Sequence, residues 1–106
     1  MFQWLKKIIG SSESKPALTT LIEEGAILID VRTQAEYLSG SVNKAVNIPL
    51  DQLVAKSDRY RKETPLLVFC RSGMRSQQAK RVLEQLGFQK VYNGGGVRTL
   101  IRRLEK

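Results

Sequence analysis

The chain has 106 residues, 42% of them apolar and 26% charged, which suits one compact domain with one core and leaves too little for two. A single cysteine excludes an internal disulfide, a Cys-x-x-Cys redox pair and a cysteine-rich zinc site; with no histidine, a metal site of the usual kinds is not expected. The net charge of +8 is uneven: residues 1–70 carry nine Lys/Arg against eight Asp/Glu, whereas residues 71–106 carry nine against two, so the last third is either a solvated basic face or a field that gathers small anions or an acidic partner.

The opening stretch from Met1 to Gly10 is basic and partly apolar. It lacks the long apolar run and the small-residue cleavage pattern of a secretion signal, and it is too short to span a bilayer. A short amphipathic helix with Phe2, Leu5 and Ile9 near one face is the expectation, joined by Gly10-Ser11-Ser12-Glu13-Ser14 to the domain proper. The division is residues 1–13 as segment and linker and 14–106 as the domain, with the protein expected in the cytoplasm and a membrane role not expected.

From there helical and extended patterns alternate. Leu18, Leu21 and Ile22 have helical spacing between Pro16 and Gly25. Ala26 to Val31 is an apolar run of the kind a buried strand shows, with Asp30 and Arg32 at its far end. Thr33 and Glu36 make a T-x-x-E capping box, so a helix begins there and ends near Gly40. Ala45 to Ile48 reads as a short strand stopped by Pro49, and Leu50 to Tyr60 as a broken helical stretch. Leu66 to Phe69 is wholly apolar and reads as a central strand with Cys70 at its end. Ala79, Val82, Leu83 and Leu86 form the apolar stripe of a helix starting near Ser76 and closed by Gly87. Val91-Tyr92 suits a last strand, Gly94 to Gly96 a tight turn, and Val97, Leu100, Ile101 and Leu104 a final helix. Strands separated by helices point to an open parallel sheet with helices on both faces.

Ligands of such sheets bind outside the carboxyl ends of the strands, which is where Cys70 stands. The residues after Cys70 suit a thiolate. A helix N-terminus with nearby cations lowers a thiol pKa, Gly73 lets successive N–H groups turn inward, and Arg71 and Arg75 supply permanent charge for oxyanions. Asp30 either holds Arg71, Arg75 or the loop amides, or pairs with Arg32; Arg32 and Glu36 are expected to organise the capped helix, and Arg98 to be solvated.

The segment Cys70-Arg71-Ser72-Gly73-Met74-Arg75-Ser76 resembles the active-site loop of single-domain rhodaneses. Leu28 to Tyr37, followed by Gly40 and by Ala45 to Leu50, resembles the N-terminal signature of that family, and Tyr92-Asn93-Gly94-Gly95-Gly96 its C-terminal glycine motif. The resemblance implies a sheet of about five parallel strands and a thiosulfate sulfurtransferase cycle through a Cys70 persulfide that requires no metal or organic cofactor; a short stretch just before the first helix is where the fifth strand is expected. It further implies Cys70 as nucleophile, Arg71, Ser72, Gly73, Met74, Arg75 and Ser76 as substrate-binding, and Asp30 and Arg32 as supporting residues. The implied partners are a small anionic donor such as thiosulfate and a thiol, cyanide or protein acceptor. Nucleic acid is not expected as a direct ligand, although the basic C-terminal third leaves an RNA-linked role open.

Two positions depart from the family pattern. Ser41 stands where a histidine is common, so local hydrogen bonding must differ, and Leu100 stands near the place of a tryptophan, a packing change. The rival readings are a persulfide carrier or a non-catalytic module serving a partner protein, and a cysteine phosphatase. Phosphatase loops follow Cys-x5-Arg; the spacing here is Cys-x4-Arg, one residue shorter, which favours sulfur over phosphorus.

Overall fold

The computed structural model describes residues 16–105; the amphipathic segment expected at residues 1–13 lies outside them. In chain order the elements are α1 (Leu18–Glu23), β1 (Ile27–Asp30), α2 (Gln34–Leu38) and β2 (Val46–Asn47). A 3-10 turn at Leu50–Gln52, α3 (Leu53–Lys56) and a second 3-10 turn at Ser57–Arg59 come next. The chain then runs through β3 (Leu66–Cys70), α4 (Met74–Gln85), β4 (Val91–Gly96) and α5 (Val97–Leu104).

The strands form one parallel sheet in the order β2-β1-β3-β4. Four strands, rather than about five, are present among the described residues. Immediately before α1 stand Pro16 and Ala17, in no strand; proline has no N–H to give a ladder.

The apolar run of β3 is explained by its place. All five residues from Leu66 to Cys70 are buried, as a strand flanked by neighbours on both edges and helices on both faces must be. Strand alternation then divides the core. Leu66, Val68 and Cys70 face one side with Ile29, Val31, Ile48, Leu53, Ala79 and Leu83, most of which come from β1, α3 and α4. Leu67 and Phe69 face the other, with Leu18, Leu21, Val97 and Leu100 of α1 and α5. Leu100 is fully buried there and lies beside Gly94, which locates the packing change expected at that position.

The capping box at α2 forms in both directions: Thr33 Oγ1 accepts from the Glu36 amide at 3.2 Å, and Glu36 Oε1 accepts from the Thr33 amide at 3.1 Å. Two other elements differ from the sequence expectation. Helix α4 starts at Met74, one half-turn before Ser76, because the N-cap is Gly73 in the left-handed region (φ 97°) and no polar side chain marks the start. Gly94 to Gly96 are not a turn but the end of β4, which passes straight into α5. The β3–β4 register runs Val68 to Asn93 and then Cys70 to Gly96, so the step of two residues in β3 is matched by three in β4. That is a bulge with one extra residue, made possible by Gly95 at φ +81°.

At the end of β1 the fully buried Asp30 carboxylate is met by a fork of donors. Arg32 reaches Oδ1 through its amide (3.0 Å) and Nε (2.9 Å) and Oδ2 through Nη2 (2.7 Å), while Ser41 Oγ donates to Oδ2 at 2.7 Å. Arg32 Nη2 also donates to the Gly40 carbonyl at 2.8 Å, tying down the chain after α2. Breaking one side of such a pair leaves a buried charge without its partner. Arg32→Met should therefore lower stability by about 3 kcal/mol in urea unfolding; a loss under about 1 kcal/mol would show that the pair is not a structural anchor.

Candidate active site

Three elements meet at the sulfur of Cys70. β3 delivers it to the sheet's carboxyl edge, α4 begins four residues later with its free N–H groups turned back, and the bulged end of β4 closes the side. The Gly73 amide donates to Sγ at 3.0 Å and the Ser76 amide at 3.4 Å; Ser76 Oγ lies 3.5 Å from it. Cys70 and Ser76 are both fully buried.

Burial alone pushes the Cys70 thiol up. Hydrogen bonding from the Ser76 hydroxyl and from the amides of Ser76, Ser72 and Gly73 outweighs it, and the net shift is below the ordinary value. The depressed thiol pKa has a sign for stability as well: its contribution is full above the unfolded thiol's pKa and fades as pH falls through the folded one.

Arg75 does not point at this sulfur loop as a free cation. Its Nη1 and Nη2 bind Glu36 Oε1 and Oε2 at 2.8 and 3.0 Å, a two-pronged pair that locks α4 to α2. The Arg75 guanidinium, and after it the Thr33 amide, hold the Glu36 carboxyl at about 2, below its ordinary 4.5. Asp30 is likewise engaged by Arg32 and Ser41, not by Arg71, Arg75 or the loop amides, which corrects the first of the two alternatives for it. Ser41 thus fills the departure from the family pattern by hydrogen-bonding the same carboxylate.

Of the other expected site residues, Arg71, Ser72 and Met74 are exposed at the loop's outer side, Met74 to 80%. Beside the loop opens a cleft of ≈ 430 Å³ lined by Arg32, Glu36, Arg71, Gly96, Val97, Arg98 and Thr99. Arg98, expected to be solvated, is exposed and also borders this cleft. Among the described residues no three His, Cys, Asp or Glu side chains cluster as metal ligands, and no helix is long and apolar enough to cross a membrane.

Two contacts are not legible from local pattern. Asn93 of β4 grips the loop from the side: its Nδ2 donates to the Gly73 carbonyl (3.1 Å) and Gln77 Oε1 (3.2 Å), and its Oδ1 accepts from the Gly95 amide (2.9 Å) and Ser76 Oγ (2.7 Å). Gly96 packs so tightly that a Cβ there would lie 2.7 Å from the Arg71 carbonyl oxygen. The glycine motif is the only sequence signal for either.

A buried cysteine whose sulfur accepts from two backbone N–H groups, at the carboxyl edge of a four-stranded parallel sheet, defines a class of α/β domains built around a sheet-edge thiol. The chain belongs to the rhodanese family: the model of the rhodanese-like domain matches residues 14–97. It is 35% identical over 75 residues to the thiosulfate sulfurtransferase PspE of Escherichia coli, covering 68% of this chain and 71% of that one. Among solved structures it is similar to a rhodanese with anions from E. coli (34% identity, TM-score 0.63, 70% of this chain and 89% of that one). A human single-domain sulfurtransferase is a further likeness (31% identity, TM-score 0.68, 86% and 92%).

Two outcomes check the geometry. Gly96→Ala should force the Arg71 carbonyl away and raise the pH at which Cys70 becomes reactive to iodoacetamide toward the value for the unfolded chain; an unchanged profile would mean the close approach is irrelevant to the loop. Glu36→Gln should lower stability at neutral pH and flatten its fall on acidification between pH 4.5 and about 2, since the contribution of Glu36 is full above 4.5 and is lost as pH falls through the folded pKa. A variant that unfolds in acid along the wild-type curve contradicts this.

Proposed function

We propose that the protein moves a sulfane sulfur from thiosulfate, or a donor of the same anionic kind, to a nucleophilic acceptor through a Cys70 persulfide. The observation that carries this reading is the ring of amides at 3.0 and 3.4 Å around a buried sulfur whose pKa they help to lower. The Cys70 thiolate attacks the outer sulfur of thiosulfate. The new S–S bond forms as the bond to the sulfite group breaks with its electron pair, giving Cys70–S–S⁻ and sulfite, with three negative charges before and after. Cyanide then takes the outer sulfur as thiocyanate and returns the thiolate. In this reading the amides that bond Sγ also stabilise the persulfide anion, and Arg71 and Arg98, bordering the cleft, supply positive charge for an arriving dianion. The sulfur leaves to an external acceptor, since the sequence has no second cysteine to resolve the persulfide.

A phosphatase reading is weakened at two places: Ser76 stands where such a loop has its arginine, and the neighbouring Arg75 is held by Glu36. A carrier reading, in which the acceptor is a protein, draws support from Met74, whose exposed apolar side chain lies beside the loop.

Thiosulfate treatment should add the mass of one sulfur atom to the wild-type chain and none to Cys70→Ser, and thiosulfate with cyanide should yield thiocyanate only with the wild type. A wild type that gains no sulfur yet hydrolyses an aryl phosphate overturns the proposal. Partner retention by Cys70→Ser, with neither chemistry present, makes the domain a binding module.

A further inference from the structure

Once Cys70 is a thiolate, the hydrogen bonds around the Ser76 hydroxyl contain one proton too few. Asn93 has all four of its amide valences filled, and two of its partners are backbone groups of fixed polarity. The Gly73 carbonyl requires Nδ2 and the Gly95 amide requires Oδ1. The side chain is therefore oriented without ambiguity, and the 2.7 Å contact to Ser76 Oγ is a hydroxyl donating to Asn93 Oδ1. Ser76 has one hydroxyl proton, so its 3.5 Å contact with Cys70 is then a thiol donating to the hydroxyl oxygen. A thiolate has no proton to donate. Left as it is, the hydroxyl would turn a lone pair toward the sulfur anion.

We propose that Asn93 is a positioning residue for Cys70: it takes the Ser76 hydroxyl proton while the thiol is neutral, and Ser76 turns that proton onto the sulfur when Cys70 ionises. No proton changes owner in the turn. The one lost from Sγ leaves to the solution, and the hydroxyl rotates about its Cβ–Oγ bond. The exchange gives up a neutral hydrogen bond for one to an anion, which is roughly twice as strong. Asn93 Oδ1 is not orphaned, because the Gly95 amide stays on it at 2.9 Å. The β4 bulge makes this possible by bringing the donor at Gly95 and the acceptor at Asn93 to the same carboxamide oxygen.

The other charged groups near the sulfur make no hydrogen bond to the switch, and Arg75 acts on Cys70 through its charge alone. Arg71 is next to Cys70 in the chain and is exposed, Arg75 of α4 is bound to Glu36 of α2, and Asp30 at the end of β1 is bound to Arg32. On β4 the titratable group is Tyr92, packed against the opposite face of the sheet. Among the described residues none of them hydrogen-bonds Ser76, whose partners are Cys70 and Asn93. The proposal rests on reading Cys70 as a nucleophile, but it concerns how the thiolate forms and holds for any electrophile.

The test is the pH profile of Cys70 alkylation by iodoacetamide in a double-mutant cycle of Ser76→Ala and Asn93→Ala. Ser76→Ala should move the profile to higher pH and slow alkylation roughly tenfold on its rising limb. Asn93→Ala should favour the thiolate more with Ser76 present than with alanine there, because only then is there a proton to release. The same displacement by Asn93→Ala in both backgrounds, or no effect of Ser76→Ala, overturns the proposal. A measurement on the unaltered protein covers the case in which a variant fails to fold. The 13Cγ resonance of Asn93 should shift with the midpoint of the alkylation profile, and a resonance constant across it overturns the proposal. Sulfur transfer does not enter either readout, so a protein that passes these tests but gains no sulfur from thiosulfate refutes the function and leaves the switch standing.

Discussion

The contact on which this structure depends is the one between the sulfur of Cys70 and the backbone of its own loop. A sulfur anion in a fully buried position is costly unless hydrogen bonds replace the water it has lost, and with no histidine in the chain no imidazolium is present to supply them. The amides of Gly73 and Ser76 do so, and they point inward only because the chain bends at Gly73 and starts a helix at the next residue. Helix α4 in turn is fixed by what it buries: Ala79 and Leu83 sit against the same face of β3 that carries Cys70. Cys70 and the helix whose amides hold its sulfur are thus fixed by one apolar layer, so the site and the fold's stability share residues.

Charge is handled by compensation at close range. Asp30 and Glu36 each sit on an arginine, Arg32 and Arg75, and these two pairs tie β1 to the chain after α2 and α2 to α4. What is left around the cleft is positive, with Arg71 and Arg98 bordering it. The C-terminal surplus of charge therefore includes both a structural cation, Arg75, and exposed cations, Arg71 and Arg98. Screening by salt will act on the second kind far more than on the first.

Features written in consecutive residues are legible in the sequence. The apolar run of β3 marks that strand and with it Cys70; Thr33 and Glu36 announce α2; the stripe from Ala79 to Leu86 announces α4. Pairings between distant residues leave no such trace. Glu36 and Arg75 are 39 positions apart, and Glu36 has an evident local use in the capping box, which it keeps while also binding Arg75. The start of α4 lies ahead of the expected Ser76 because its cap is a glycine's backbone conformation and not a polar side chain. Glycines in a row read as a turn, and in solvent-exposed chain they would be one; here they are a strand in which Gly95 takes the positive φ of the bulge and Gly96 leaves no room for a side chain against the Arg71 carbonyl.

Asn93 shows why the remainder of the site stays hidden at the level of motif. An asparagine before three glycines carries no pattern that distinguishes a turn residue from a buttress. Its importance comes from four partners on two elements: the Gly73 carbonyl, the Ser76 hydroxyl and Gln77 around the start of α4, and the Gly95 amide on its own strand. Those contacts exist only once β4 has paired with β3 in the bulged register. The glycine motif and the cysteine loop, 16 to 20 residues apart along these hydrogen bonds, are therefore one device: the first supplies the geometry in which the second can hold an anion. A change in either is felt at the sulfur through the carboxamide that joins them.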